Sequence, residues 1–458
     1  MPSFRKIFFS RAPSETSGNH VKKFLLAIAA LLALLFICGL AGSSWLANSS
    51  GRKLKNLRSA ISDAGDPIYY VEYGSDPVPE QDNAFVLLSE SATGIDAYSE
   101  LVRSFKAENP SANSSAQQPA SSLLLQKQET FFTENSELFD LLKKASQCQS
   151  YQADIDRSQG FGASTAHAET SRRAIEMLAD KASILASNGA GDAAVEACLT
   201  GYRILHLTEQ ERFLMGFLIE CVGLEKLGNV VQQTLSTCEV SEPMFEAIDK
   251  QLQQFNMNTN LTNAIKVERA SGIQSFQDIQ QAAKNSDENQ IPIPAFFVGT
   301  NIGQAYFNDD ESAYIEYMNE CISMVNQTKT IRDQRMDVLM AELSSATFLK
   351  PISKIITPDM SSIFDAKDDA TARLRALRIL LAVQQQPDVR VQTLPAEIRE
   401  DPYTSKDMIS SRTSDGWLIY SVGRNLTDDA GDLTPVAPSQ RPLDIGYGPT
   451  TAQPITTD

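Results

Sequence analysis

FLLAIAALLALLFICGLAGSSWLA, residues 24–47, contains no charged side chain, and Ser43 and Ser44 are its only hydroxyls. At ~1.5 Å rise per residue it makes roughly 36 Å of helix, enough to cross a hydrocarbon core of about 30 Å with some tilt. Lys22 and Lys23 bound it on one side, and Arg52, Lys53, Lys55 and Arg58 follow on the other. This stretch decides the architecture: one span near the N-terminus, with nearly all of the chain on one side of a membrane.

Orientation follows from the flanks. Arg5, Lys6, Arg11, Lys22 and Lys23 precede the span against a single acid, Glu15, and outnumber the basic residues just after it. Basic flanks stay in the cytoplasm, so the N-terminus is expected inside and the large C-terminal part outside. The competing reading is a cleaved signal peptide. Its apolar region runs only about 7–15 residues, shorter than this one, although Trp45-Leu46-Ala47 offers an end that can be cut. A retained anchor fits better.

The chain has 458 residues, 42% hydrophobic and 21% charged, an ordinary globular balance that predicts a real core. Its net charge of −17 repels phosphate backbones, which argues against a nucleic-acid partner. The basic residues beside the span suit anionic lipid headgroups instead. His20, His167 and His206 are too scattered for a zinc site. Cys38 lies in the span. Cys148, Cys198, Cys221, Cys238 and Cys321 form no CxxC pair and read as small apolar core residues. The alternative is a Cys198–Cys221 or Cys221–Cys238 disulfide between neighbouring helices.

Residues 48–80 read as a juxtamembrane connector, basic and helical over 52–64, then broken by Asp66-Pro67 and Asp76-Pro77-Val78-Pro79. A first helix over 83–106 is capped at Asp82-Asn83-Ala84. Residues 109–122, rich in Ser, Ala, Gln and Pro, bury too little to order themselves and read as a flexible linker. From there to about residue 381 apolar residues recur at three- and four-residue spacing. Ala174, Ile175, Leu178, Ala182 and Leu185 mark a helix over 165–187, stopped by Asn188-Gly189. A second helix over 191–207 makes a hairpin with it, and 209–235, 299–326 and 328–348 continue the pattern, with Pro243 and residues 290–294 as punctuation. Residues 179–205 loosely resemble a tetratricopeptide hairpin, but no period is sustained. The aromatics of 294–298 and Tyr306-Phe307 read as core filling rather than a pocket, and the acids of 309–311 and 365–369 as solvated faces or helix N-terminal charges.

After residue 382 the composition shifts. A long helix ends at Gln384–Gln386 before Pro387, and strand-like runs follow at 389–394 and 416–422. The expected order is therefore a cytoplasmic segment (1–23), a transmembrane helix (24–47), a connector with first helix and linker (48–122), an irregular helical bundle or solenoid-like domain (123–350), a long helix with a small α+β module (351–448), and a disordered tail (449–458).

Asp401-Pro402-Tyr403, Tyr420-Ser421-Val422-Gly423, Asp428-Asp429, Gly431-Asp432 and Asp444-Ile445 together resemble the C-terminal region of the type II secretion major pseudopilins. The whole arrangement is similar to membrane-anchored proteins typical of planctomycete bacteria. The pseudopilin resemblance implies a calcium-binding loop, here Asn425, Asp428, Asp429, Asp432 and Asp444. A hard cation wants six to eight oxygens, and these residues crowd oxygens into a short loop. The other reading is a solvated acidic turn whose side chains satisfy its own backbone. Ser405, Leu426 and Ala430 stand where the pseudopilins have Gly, and Asp407 where they have Pro. No prepilin leader precedes the span: Lys22-Lys23-Phe24 replaces the cleavage site, and the span holds no Glu.

No GxGxxG, P-loop, HExxH or GxSxG occurs. Ser50-Gly51-Arg52-Lys53 fits a bare SxxK, but its partner motifs are missing. The expectation is a non-enzymatic, mainly α, single-span protein of a bacterial inner membrane, with a periplasmic helical body that binds proteins and no resident cofactor unless calcium. A secretion- or pilus-associated factor and an enzyme with a dispersed site are the alternatives.

Overall fold

The computed structural model describes residues 15–74, 76–109, 118–163, 165–284, 299–345, 350–386, 388–434 and 441–449. Helix α1 runs without a break from Glu15 to Asp63. Then come α2 (Ala84–Glu108), α3 (Gln118–Glu134) and α4 (Ser136–Ala145), followed by α5 (Ala166–Ser187), α6 (Gly191–Thr208) and α7 (Leu214–Thr237). Helices α8 (Glu242–Leu252), α9 (Met257–Lys284), α10 (Asn301–Met324) and α11 (Lys329–Ser345) complete most of the body. The short α12 (Pro351–Ile356), the long α13 (Met360–Gln385) and the single turn α14 (Ala396–Arg399) lead into strands β1 (Ile409–Thr413), β2 (Gly416–Ser421) and β3 (Ile445–Tyr447). The protein is mainly α, with one small antiparallel sheet in the order β1-β2-β3.

Local chemistry explains the helix ends. Asn83 caps α2, its side chain accepting from Phe85 N at 3.1 Å. Gly189, at φ +76°, takes the left-handed turn that joins α5 to α6. The expected helix over 209–235 begins later, because Glu209–Glu211 form a 3-10 turn and Arg212 is left-handed, so α7 starts at Leu214. Helix α3 starts at Gln118, inside the stretch read as linker. The run 389–394 is not a strand. It holds a 3-10 turn, Val391–Thr393, squeezed between α13 and Pro395.

Helices α5, α6 and α7 pack side by side, and their apolar faces supply much of one continuous core. The α6–α7 crossing is close because two glycines receive two leucines. A Cβ on Gly201 would sit 3.0 Å from Leu227, and one on Gly223 would sit 2.7 Å from Leu205. Helix α13 lies against α7, α8 and α9 on one side and carries β2, β3 and α14 on another. That double duty explains why it is buried nearly all round. Tyr447 of β3 reaches Gly228 of α7, where no side chain fits.

The acids read as solvated faces are largely interior. Asp310, Glu311, Asp368 and Asp369 are each 1% exposed or less. Asp368 pairs with Arg332 and, at 2.8 Å, with Lys367. Asp369 accepts from Tyr403 and from Arg424 (2.5 Å) and pairs with Arg441 (2.8 Å), joining the C-terminal module to the body. Asp310 accepts from the backbone of Ile352 and Ser353 at the start of α12. Buried carboxylates persist only with such partners. All six cysteines are free, so neither helix-to-helix disulfide forms. Phe307 fills core, as expected. The aromatics of 294–298, the punctuation at 290–294, residues 110–117 of the linker, the basic residues Arg5, Lys6 and Arg11, and the tail from 450 lie outside the described residues.

Candidate functional sites: the anchor junction and the acidic loop

Helix α1 is long and apolar enough to cross a membrane. Every described side chain from Leu26 to Gly42 is exposed, and burial begins at Ser43. Residues 24–42 amount to roughly 29 Å of helix, about one hydrocarbon thickness. Past that point α1 does not become a free tether. It packs along α10, the two helices running in the same direction.

The contacts climb the helix in order. Asn301 Nδ2 donates to Ser44 Oγ at 2.9 Å, and Asn308 Nδ2 to Ser50 Oγ at 3.3 Å. Lys53 pairs with Glu316 at 2.9 Å on the surface. Arg58 Nε donates to Glu311 Oε1 at 2.9 Å, and Arg58 also reaches Tyr69 Oη at 3.1 Å. Leu54 and Ile61 close a small apolar cluster with Ile273 of α9 and Ile315 of α10. Beyond the helix, Asp66 bonds Lys266 (2.7 Å) and Arg269 (2.9 Å). Burial raises the Asp66 pKa, but those two cations outweigh it and hold the carboxyl below its usual range. Ser50 and Lys53 of the bare SxxK thus face α10, each with its own partner there.

Four of the five expected calcium ligands gather in one loop. Asp444 is fully buried, and its Oδ2 accepts from Asp429 N (3.1 Å) and Gly431 N (2.8 Å). Asp428 Oδ1 accepts from Tyr420 Oη and Ala430 N, both at 2.9 Å. Asn425 Nδ2 donates to Asp429 Oδ2 at 2.8 Å. Asp432 instead caps its own turn at Thr434 N, 3.0 Å away. One oxygen is left over: Asp444 Oδ1 is buried with no hydrogen-bond partner. Burial first, then the nearby Asp429 and Asp428 carboxylates, push the Asp444 pKa up. Among the described residues no three carboxylate, imidazole or thiol groups converge closely enough to form a ready metal shell.

The backbone here is unusual. Four non-glycine residues have positive φ among those described: Arg212, Ser405 (+56°), Leu426 (+58°) and Ala430 (+61°). The last three are the positions at which Gly was expected. The α1–α10 junction left no local mark in the sequence, because its partners lie more than 250 positions apart. Compared with family models, curated proteins and solved structures, the chain finds no match.

Proposed function

We propose that the protein is a single-pass anchor protein of a bacterial inner membrane, N-terminus in the cytoplasm, whose periplasmic helical body binds other proteins in a structural or assembly role. The supporting observation is the continuity of α1, whose described side chains from Leu26 to Gly42 are exposed and which is then clasped by α10. A body held this way keeps one orientation relative to the bilayer, as a scaffold at a membrane surface requires. The test is in-cell cross-linking through a tagged C-terminus, with identification of what purifies from membranes. A discrete envelope partner is expected. A substrate turned over by the purified chain, with no partner recovered, would overturn the reading.

A second reading is favoured by Asp444 Oδ1 and the left-handed backbone at Ser405, Leu426 and Ala430. In it, the C-terminal module is pseudopilin-like and calcium draws on Asp444, Asp428 and Asp429, relieving their mutual repulsion. Calcium titration of the whole chain decides it. A melting temperature that rises with calcium but not with magnesium supports the site, and an unchanged one removes it.

A further inference from the structure

A cleft of about 590 Å³ opens between the α8–α9 and α10–α11 turns and the C-terminal module, floored by one face of α13. Its size and its place between two structural units are those of small-molecule sites. Three cationic side chains line it. Lys367 is paired with Asp368 at 2.8 Å and Arg378 with Asp249 at 2.9 Å. Arg375 is half-buried, donates to the backbone carbonyl of Glu400, and forms no ion pair among the described residues. Burial pulls its pKa down, an effect opposed by the carboxylates of Glu400, Asp401, Asp368 and Glu397.

Glu397 and Glu400 line the same cleft and also form no ion pair among the described residues. Opposite charges therefore face one cleft without closing on each other. A half-buried guanidinium ordinarily finds a carboxylate, and its planar fork suits one well. A dianion such as phosphate would meet the two glutamates. A ligand carrying both charges satisfies both sides. Asn256, Asn326 and Gln327 add amides that donate and accept, and Phe255, Leu374 and Ile398 provide apolar wall.

We propose that this cleft binds a small zwitterion with the chemistry of an α-amino acid or a short peptide, its carboxylate on Arg375 and its ammonium toward Glu397 and Glu400. The inference is independent of what the body docks to.

The full chain in detergent micelles is screened by thermal shift with the proteinogenic L-amino acids, Ala-Ala and inorganic phosphate, and hits are titrated calorimetrically. At least one zwitterion is expected to bind saturably. N-acetylating or amidating it is expected to weaken binding at least about tenfold. Preference for a free amino acid or for Ala-Ala identifies the source. Arg375→Gln and the exposed-site Glu397→Gln are each expected to lose about tenfold or more while melting as the parent does. Should Arg375→Gln fail to fold, Glu397→Gln still decides. Absence of any zwitterion binding, capped forms binding equally well, phosphate binding best, or an unaffected Glu397→Gln would each overturn the proposal.

Discussion

Arg58, on the helix that emerges from the apolar span, donates through Nε to Oε1 of Glu311 at 2.9 Å, and the Glu311 side chain is only 1% exposed. Burial raises the Glu311 pKa, and the Arg58 charge opposes that rise. This pair ties the long apolar helix to the body at a point where the Glu311 carboxylate is out of reach of bulk water. Removing Arg58 leaves a buried carboxylate unpaired. Arg58→Leu is expected to cost about 3 kcal/mol, and adding Glu311→Leu to recover most of it. Chemical denaturation of the detergent-solubilised chain, run as a double-mutant cycle, measures both.

Glu220 sets a pH dependence. It is 2% exposed and accepts from Asn260 at 2.7 Å. Burial above all, with the Glu209 carboxylate adding to it and Asn260 opposing, pushes its pKa to about 8. A pKa raised on folding favours the fold while the group stays protonated. Its contribution is whole below the unfolded carboxyl value of about 4.3 and is lost as pH rises through 8. Glu220→Gln is expected to flatten the fall in stability between those limits, and to gain on the order of 2 kcal/mol at the upper end. Melting temperature against pH for both chains is the check.

Leu426 and Ala430 hold left-handed backbone with side chains that disfavour it. Leu426 is 39% exposed, so little packing is lost on removing it. Leu426→Gly and Ala430→Gly are each expected to stabilise by about 0.5–1 kcal/mol, the relief of backbone strain outweighing the added freedom of the unfolded chain. An unfolding titration that shows a loss at both sites would contradict the conformation.

Gly223 receives Leu205 too closely for any side chain. Gly223→Ala is expected to cost about 1–3 kcal/mol by overpacking the α6–α7 crossing. Pairing it with Leu205→Ala should recover part of that loss, which thermal melts of the three variants resolve.

What the sequence made legible was local. The span followed from the absence of charge over residues 24–47, and the α5–α6 hairpin from apolar spacing and Gly189. Strand β2 showed through Trp417-Leu418-Ile419-Tyr420, with turn residues ahead of it. Strand β1 is polar (ISSRT) and β3 has three residues, so neither carries a pattern of its own; each is defined by pairing to β2. Asp310, Glu311, Asp368 and Asp369 looked like surface because a run of acids normally is. Their partners come from α1, α11, α12 and the C-terminal module. The same distance hid the clasp on α1, and residues 48–63 read as connector for that reason. That Arg375 forms no ion pair among the described residues had no sequence signal, since pairing is a property of the folded cleft.

The contact between Ser44 and Asn301 tests the anchor most directly, because it lies where the bare helix ends and the body begins. In native membranes, Ser44→Cys with Asn301→Cys is oxidised and the chain is then cut between the two positions. The fragments are expected to stay joined until reduced, with each single variant separating. Fragments that part without reductant, although both cysteines react with a maleimide, would mean that α1 continues past Gly42 as a free tether.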